Sequence, residues 1–419
     1  SIGSVAWDAG EVLQSTSASS RTIYTCKAGA LTTFTTSTIT STDLNVADDT
    51  RRNEVVGFIR GESAYNPDNW KLGDTFRSNP ITVGTPAQYF RDTRDAANAF
   101  ATFRTNNLRS TANGKRIVVA GANDGQLHAF RTSDGAELWS FIAPNLLSKL
   151  KDIAHASHPT GLTHQYYVDG PISVADVWLG SGDGTTKIAS DWKTLLVFAQ
   201  GRGATQTLWS SSAHCGSGFS NVWSAAAPYY CGYHALDITN TAAPAYKWRI
   251  TPSASQAPYL GDPWSKMMVH RVKVGGQEKW VGFFGGGHNY SSCTGTGCDT
   301  RGKGFFVVEL ATGNVLWSYT QADNANMAYA MPGTPTTIDS DNDGFIDLAY
   351  IGDLGGNLWR FKFCFAADGS SCSTASWSGS RLFAREAGIG PVYDAPTATR
   401  DAGGNIWLYW GTGDKAEPI

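Results

Sequence analysis

An internal repeat restricts the fold of this chain more than any other feature of its sequence. Five times, a proline-led segment runs into an apolar segment that ends in a glycine-rich turn, and two further strand-like segments usually follow. The five openings lie at Pro80, Pro171, Pro263, Pro335 and Pro391. Successive glycine turns lie roughly 60 to 85 residues apart, which exceeds the about 40 to 50 residues of a minimal four-stranded blade. Four-stranded units repeated in one chain close radially, so the sequence predicts an all-β fold, a β-propeller with long inserted loops.

The hairpin between the third and fourth strands of a unit is the most regular part of the repeat. In two units a turn glycine precedes a tryptophan by four residues, as Gly135 and Trp139 and as Gly313 and Trp317. Glycine supplies the positive φ that a tight hairpin turn needs. We expect both tryptophans to pack against the neighbours of their own blades and not to bind a ligand.

Composition divides the chain into two parts. Residues 1–50 are rich in serine and threonine and lack sustained alternation of apolar and polar positions, which indicates a loosely structured lead-in segment. Residues 51–419 contain the repeats and are assigned to the propeller domain, and a short helix is predicted over residues 48–60. The fifth unit stops after its second strand, near Gly413. The propeller is therefore expected to be incomplete at the C-terminal end, or to borrow a strand from elsewhere.

Charge and motif content argue against several classes of function. The formal net charge is -3 and charged residues make up only 16% of the chain. The composition therefore lacks the excess of basic residues that is typical of nucleic-acid-binding proteins. No apolar run approaches the roughly 18 residues of a membrane-spanning helix. The eight histidines are scattered, and no metal-binding or nucleophilic triad signature includes them. The sequence therefore predicts a protein that is not an enzyme.

Seven cysteines indicate an oxidising compartment. Three pairs bracket loop-like insertions of low complexity, where a disulfide would constrain a flexible loop. They are Cys215–Cys231, Cys293–Cys298 and Cys364–Cys372. None of the pairs has the Cys-x-x-Cys spacing of a zinc site. Cys26 is left without a partner.

One acidic loop has the pattern of a calcium site. Its carboxylates fall at positions 1, 3, 5 and 9, as Asp339, Asp341, Asp343 and Asp347. Gly344 at position 6 permits a sharp turn, and the carbonyl of Phe345 can supply the position-7 ligand. Oxygen-only coordination of this kind suits Ca²⁺, a hard cation. Without a cation, four carboxylates packed this closely would repel one another strongly.

This loop is not an EF-hand, and two other interpretations of it stay open. Position 12 is Tyr350 and not the bidentate glutamate of an EF-hand, and strands rather than helices flank the loop. We expect Asp347 to take the place of that glutamate. The alternatives are a solvated acidic turn without metal, and a metal that serves only as a loop staple.

Eight segments, taken in order, carry a family resemblance. They are residues 58–62, 72–74, 78–80, 83–84, 120–125, 339–353, 355–360 and 411–413. With these marks the sequence, over roughly residues 50 to 419, resembles the C-terminal propeller of the PilY-type tip adhesins of type IV pili, the PilC/PilY family. The resemblance implies a modified quinoprotein-like β-propeller with one calcium ion in the acidic loop.

The same resemblance implies a biological role. It implies a protein outside the cell, at the pilus tip after export through the periplasm, that controls pilus extension and retraction, twitching motility and surface adhesion. The implied partners are minor pilins, an N-terminal adhesive domain of the same protein and a host-cell receptor. Some family members carry an Arg-Gly-Asp integrin motif, whereas this chain has Arg60-Gly61-Glu62, so integrin recognition is not implied.

Two other functions compete with this interpretation. The repeat also resembles that of quinoprotein dehydrogenases, but those enzymes share an adjacent pair of cysteines over the cofactor, and no two cysteines are adjacent here. The second alternative is a scaffold propeller whose calcium is purely structural. It differs from a pilus regulator in whether calcium removal changes pilus behaviour without unfolding the protein.

Overall fold

The structure is a computed structural model in which residues 5–88, 92–154, 164–212, 218–289, 300–386 and 388–413 are described. Strands account for most of their regular structure, which confirms the all-β prediction. None of the described helices is long and apolar enough to cross a membrane.

Helices and strands alternate unevenly along the chain. The α-helices are α1 (Ala9–Ser15), α2 (Asp49–Arg60) and α3 (Ala99–Asn106). The strands up to residue 249 are β1 (Ile23–Lys27), β2 (Ala30–Thr33), β3 (Ile81–Val83), β4 (Ile117–Gly121), β5 (Leu127–Arg131), β6 (Glu137–Phe141), β7 (Ile172–Trp178), β8 (Trp192–Ala199), β9 (Trp209–Ser210), β10 (Tyr229–Tyr230), β11 (Tyr233–Asp237) and β12 (Ala245–Arg249). The later strands are β13 (Met268–Val274), β14 (Gln277–Gly285), β15 (Gly304–Glu309), β16 (Val315–Thr320), β17 (Thr336–Ile338), β18 (Leu348–Gly352), β19 (Leu358–Lys362), β20 (Ser378–Phe383), β21 (Thr397–Arg400) and β22 (Ile406–Tyr409). Short 3₁₀ helices lie at Ala18–Ser20, Pro144–Asp152, Ala189–Asp191, Gly201–Ala204, Ala257–Tyr259, Ala366–Asp368 and Thr374–Ser376.

The chain forms two compact units, and each unit draws on three stretches of sequence. The first unit comprises Ser1–Ala87, Arg104–Val174 and Thr194–Arg249. The second unit comprises Gln88–Phe103, Ala175–Lys193 and Ile250–Ile419. The acidic loop belongs to the second unit.

Four sheets match four of the five predicted repeats. Strands β3 to β6 form one antiparallel set, and the others have the orders β12-β11-β8-β7, β13-β14-β15-β16 and β17-β18-β19-β20. The fifth repeat contributes the two-stranded sheet of β21 and β22, and β9 and β10 form a further two-stranded sheet inside an insertion. The prediction that the propeller is incomplete at the C-terminal end stays a prediction.

Three of the predicted blade starts agree with the structure, and two are early. Strands β3, β7 and β17 begin directly after Pro80, Pro171 and Pro335. Strand β13 begins only at Met268, because the residues beside Pro263 form an isolated bridge, Asp262 with His288, instead of a ladder. Strand β21 likewise begins at Thr397 and not at Pro391.

The lead-in is structured, contrary to our expectation. Strand β1 pairs in parallel with β6, with Ile23 opposite Ser140, and β2 continues the sheet as an antiparallel neighbour of β1. Several apolar residues of the lead-in are buried despite their irregular spacing, and Phe34 and Leu44 are both 0% exposed. An unpaired sheet edge leaves backbone hydrogen-bonding groups unsatisfied, and the lead-in satisfies those of β6. The loosely structured lead-in is therefore wrong as a description of residues 9–33, whereas the domain division at residue 50 stays a prediction.

A buried ionic network holds the lead-in to the first unit. The guanidinium of Arg21 donates to both carboxylate oxygens of Glu137, at 2.8 and 3.0 Å, and to Gln126 Oε1 at 3.1 Å. His128 bridges Glu137 and Asp124 through its two ring nitrogens, at 2.8 and 2.9 Å. These two acidic partners raise the pKa of His128 to about 9, against the opposing effect of its burial.

The predicted helix over residues 48–60 is confirmed as α2. Asp48 caps its first turn by accepting a hydrogen bond from Arg51 N at 2.8 Å, and Gly61 ends it with a φ of 86°. Val55, Val56 and Ile59 lie on its buried face. The helix therefore contributes its apolar stripe to the core of the first unit.

Both hairpin tryptophans pack as predicted. Gly135 and Gly313 have φ values of 72° and 79°. Trp139 is fully buried and its indole donates to the carbonyl of Thr241, beyond β11, at 2.9 Å. Trp317 makes an edge contact with Phe361 of β19, with ring centroids 6.1 Å apart. Each indole thus contacts a repeat other than its own.

One predicted disulfide is confirmed. Cys364 and Cys372 are bonded, with their Cα atoms 5.7 Å apart. Cys231 is also in a disulfide, but its predicted partner Cys215 lies outside the described residues, as do Cys293 and Cys298, so both pairings stay predictions. Cys26 is a free, buried thiol whose pKa burial raises to about 11, which makes it unreactive.

Candidate metal centre

The acidic loop closes a β-hairpin in the second unit. It joins β17 to β18, which pair antiparallel with Ile338 opposite Leu348. Asp347 N donates to the carbonyl of Ile338 at 3.0 Å and so closes the base of the loop. Asn342 and Gly344 have φ values of 60° and 87°, in the left-handed region that asparagine and glycine tolerate best. These two residues fold the loop back on itself.

Three of the four predicted carboxylates converge. Asp339, Asp341 and Asp347 each place a carboxylate oxygen within 4.8 Å of the others. Backbone donors hold two of them: Gly344 N of the loop donates to Asp339 Oδ2 at 2.8 Å, and Ala366 N, which follows β19, donates to Asp341 Oδ2 at 2.8 Å. The loop itself and the segment after β19 therefore both supply hydrogen bonds that hold these carboxylates in place.

Asp347 has the most unusual environment of the three. It is 0% exposed, and its Oδ2 accepts hydrogen bonds from Ser340 N at 2.6 Å and Ser340 Oγ at 2.9 Å. Its Oδ1 is buried without a hydrogen-bond donor among the described residues. Burial, with the nearby carboxylates of Asp341 and Asp339, raises the pKa of Asp347 to about 6. A buried carboxylate oxygen without a donor is costly unless a cation binds it.

Asp343 is drawn away from this cluster. Its Oδ2 accepts from the ammonium of Lys273 at 2.5 Å and its Oδ1 accepts from Phe345 N at 2.9 Å. The structure therefore brings together three predicted carboxylates and pairs the fourth with a lysine. The Phe345 carbonyl stays a predicted ligand.

The side chain of Phe345 anchors the loop, which the sequence did not indicate. It is 1% exposed and lies beneath three cationic groups. They are the guanidinium groups of Arg271 and Arg94, at 4.4 and 5.2 Å from the ring centroid, and the ammonium of Lys273 at 4.8 Å. Cation–π attraction stabilises this ring in addition to its burial. The loop is thus attached to β13, the strand that carries Arg271 and Lys273.

Arg271 connects the loop to a buried ion cluster. Its Nε donates to the carbonyl of Gly344 at 2.7 Å, and its Nη1 pairs with Asp92 at 3.0 Å and Glu278 at 3.2 Å. Lys187 pairs with the same two carboxylates. All four charged side chains are at most 2% exposed, so two positive and two negative charges balance in the interior. Sequence reasoning missed Arg271 and Lys273, whose only signal is their alternate spacing on one strand.

The residues fit a calcium ion. The three converging side chains offer only oxygen ligands, which Ca²⁺ prefers. Burial, together with the nearby carboxylates of Asp343 and Asp341, also raises the pKa of Asp339. A divalent cation would neutralise this charge and satisfy Asp347 Oδ1. If bound, the ion would supply positive charge that orders the loop, and its first ligands would be Asp339, Asp341 and Asp347.

Comparison with known proteins assigns the chain to a family. A family model described as the PilY1 beta-propeller domain matches residues 72–376, which include the acidic loop. The chain belongs to this PilY1 propeller family. That finding confirms both the resemblance drawn from the sequence and the β-propeller fold class.

Individual relatives agree with the assignment. The type IV pilus biogenesis factor PilY1 of Pseudomonas aeruginosa strain PAK is 30% identical over 325 residues, which are 76% of this chain and 23% of that protein. The PilY1 of strain UCBPP-PA14 is 28% identical over 374 residues, 85% of this chain and 28% of that protein. The chain thus spans roughly a quarter of these relatives. The crystal structure of the Pseudomonas aeruginosa PilY1 C-terminal domain matches with a TM-score of 0.54 at 26% identity, over 80% of this chain and 60% of that one.

Proposed function

We propose that this chain is the calcium-binding propeller of a type IV pilus biogenesis factor and acts by binding, not by catalysis. The observation that carries the calcium proposal is Asp347 Oδ1, a buried carboxylate oxygen without a described donor beside two further carboxylates. The family supports the pilus role, because the relatives are named type IV pilus biogenesis factors. In this proposal the protein works outside the cell, at the pilus tip, with minor pilins and an N-terminal adhesive domain as partners and a host-cell receptor as its target.

Calcium acts in this proposal through the position of the loop. The loop contacts β13 through Phe345 and Gly344 and contacts β21 through Arg400, whose guanidinium donates to the carbonyl of Ser340 at 2.7 Å. Binding of a cation at the three carboxylates pulls the loop inward and changes these contacts. Calcium therefore alters one surface of the second unit and leaves the sheets in place. Through this surface it controls pilus extension, retraction and adhesion.

Substitution of Asp347 tests the ligand assignment. We expect the full chain to bind one calcium ion by calorimetry, and Asp347→Ala to lose about two orders of magnitude in affinity, since it removes a buried charged ligand. The matched control is Asp323→Ala, which removes a carboxylate that caps Thr320 in the same unit but lies outside the loop. Equal calcium binding by the wild type and Asp347→Ala would show that the ligand assignment is wrong.

A cellular assay separates the regulator from the scaffold with structural calcium. In a piliated host that lacks its own copy of the gene, Asp347→Ala is expected to produce a folded protein and to change twitching motility. Circular dichroism of the purified variant without calcium provides the control for folding. If the wild type and Asp347→Ala both unfold when calcium is removed, the metal is purely structural and its regulatory role is refuted.

A further inference from the structure

We propose that Lys273 is a built-in competitor of calcium, whose ammonium occupies Asp343 and so lowers the calcium affinity of the acidic loop. This inference rests on the proposed function, because it concerns the regulation of the same site. It assigns a role to a side chain that lies on another strand, 66 residues before the loop begins, and that no loop motif includes.

The first step of the argument is the pairing of Asp343. As the fifth position of the loop, Asp343 is expected to ligate the ion together with Asp339 and Asp341. Both of its oxygens are instead engaged, Oδ2 by Lys273 and Oδ1 by Phe345 N. A calcium ion that uses Oδ2 of Asp343 must first displace the ammonium. The ion pair and the metal therefore compete for one oxygen.

The second step is that Lys273 is held at this position. Its side chain is 25% exposed and that of Asp343 is 17% exposed, so solvent screens the pair less than a fully exposed pair. The ammonium also lies 4.8 Å from the centroid of the Phe345 ring. Two favourable contacts thus place a positive charge beside the loop.

The third step is charge balance around the loop. Arg271, the other cation that β13 places here, has its charge matched by Asp92 and Glu278. Lys273 forms its ion pair with Asp343. When calcium takes Asp343, the ammonium loses that partner and faces a divalent cation of the same sign. Both effects oppose calcium binding, and neither requires any change in the fold.

Replacement of the lysine tests this inference by the sign of its effect. We expect Lys273→Met to bind calcium about fivefold more tightly than the wild type, the size expected for a partly screened ion pair. Lys273→Arg keeps the cation and should bind as weakly as the wild type. If Lys273 only positioned Asp343 for the metal, Lys273→Met would bind more weakly, which is the opposite result.

The experiment is calorimetric titration of the chelator-treated full chain with calcium chloride. The matched control is Lys279→Met. It removes a lysine on the adjacent strand β14 that pairs with Glu309, and it should leave the calcium affinity unchanged. If Lys273→Met does not fold, Lys273→Gln keeps a polar end group and replaces it. Equal or weaker binding by the neutral variant overturns the role of Lys273 alone. Absence of binding in all the proteins overturns the proposed function with it.

Discussion

Gly344 shows how a single residue determines the shape of the acidic loop. Its φ is 87°, and a Cβ atom at this position would lie 2.4 Å from Nη2 of Arg271. Arg271 cannot easily move aside, because it is 2% exposed and held by Asp92, Glu278 and the Gly344 carbonyl. The glycine is therefore needed both for its backbone conformation and for the close approach of a buried guanidinium.

We predict that Gly344→Ala weakens calcium binding about tenfold and destabilises the fold by about 2 to 3 kcal/mol, of which roughly 1 kcal/mol is the cost of the left-handed backbone. The control is Gly404→Ala, at a φ of 83° with its nearest contact at an ordinary 3.4 Å. It should show the backbone cost alone and bind calcium like the wild type. Calorimetry and urea unfolding measure the two effects. Equal losses in both variants would show that the Arg271 contact is unimportant.

At this scale the sequence predicted the acidic side chains and the glycine, but not their surroundings. The spacing of Asp339, Asp341 and Asp347 and the glycine at position 6 are local properties, so they can be read from one short segment. The roles of Arg271 and Lys273 depend on how β13 lies against the loop, and no short segment contains that information. The pairing of Asp343 with Lys273 was missed for this reason.

At the scale of elements, the structure shows a local motif that occurs twice. In Asp353-Leu-Gly-Gly-Asn357-Leu-Trp359 the aspartate accepts from Asn357 Nδ2 at 2.9 Å and from the indole of Trp359 at 2.8 Å. The segment from Asp401 to Trp407 repeats both contacts, at 3.0 and 2.9 Å. Sequence reasoning identified the glycine turns but not the aspartate–indole hydrogen bond that ties the turn to the following strand.

The two copies differ in burial, so we predict different effects of the same substitution on stability. Trp359 is 0% exposed and Trp407 is 54% exposed. Burial also raises the pKa of Asp353 to about 6, so this carboxylate depends on its donors. We expect Trp359→Phe to destabilise the protein by about 2 kcal/mol, through a cavity and a lost hydrogen bond. Trp407→Phe should leave the stability unchanged.

Urea unfolding of the two phenylalanine variants measures this difference. A third variant, Asp353→Asn, is useful because it keeps the shape of the side chain while removing its charge. Similar stabilities of Trp359→Phe and Trp407→Phe would contradict the view that burial determines how much this hydrogen bond contributes to stability.

The whole molecule was predictable wherever the sequence repeats itself. The repeat identified four sheets and their hairpins, and the family comparison confirmed the propeller. The lead-in was not predictable, because β1 and β2 acquire their structure from the edge of β6, and their apolar residues have no regular period. The starts of β13 and β21 were placed too early, because the chain runs several residues beyond Pro263 and Pro391 before ladder pairing begins.

The most direct test of the central claim is a crystal structure of the chain grown with calcium, in which anomalous scattering locates the ion. We predict one calcium ion bound by carboxylate oxygens of Asp339, Asp341, Asp343 and Asp347 at about 2.3 to 2.6 Å, with Asp347 Oδ1 among its ligands. The ammonium of Lys273 should then have left Asp343. A loop that stays without metal at millimolar calcium, or an ion bound only elsewhere in the chain, would contradict the claim.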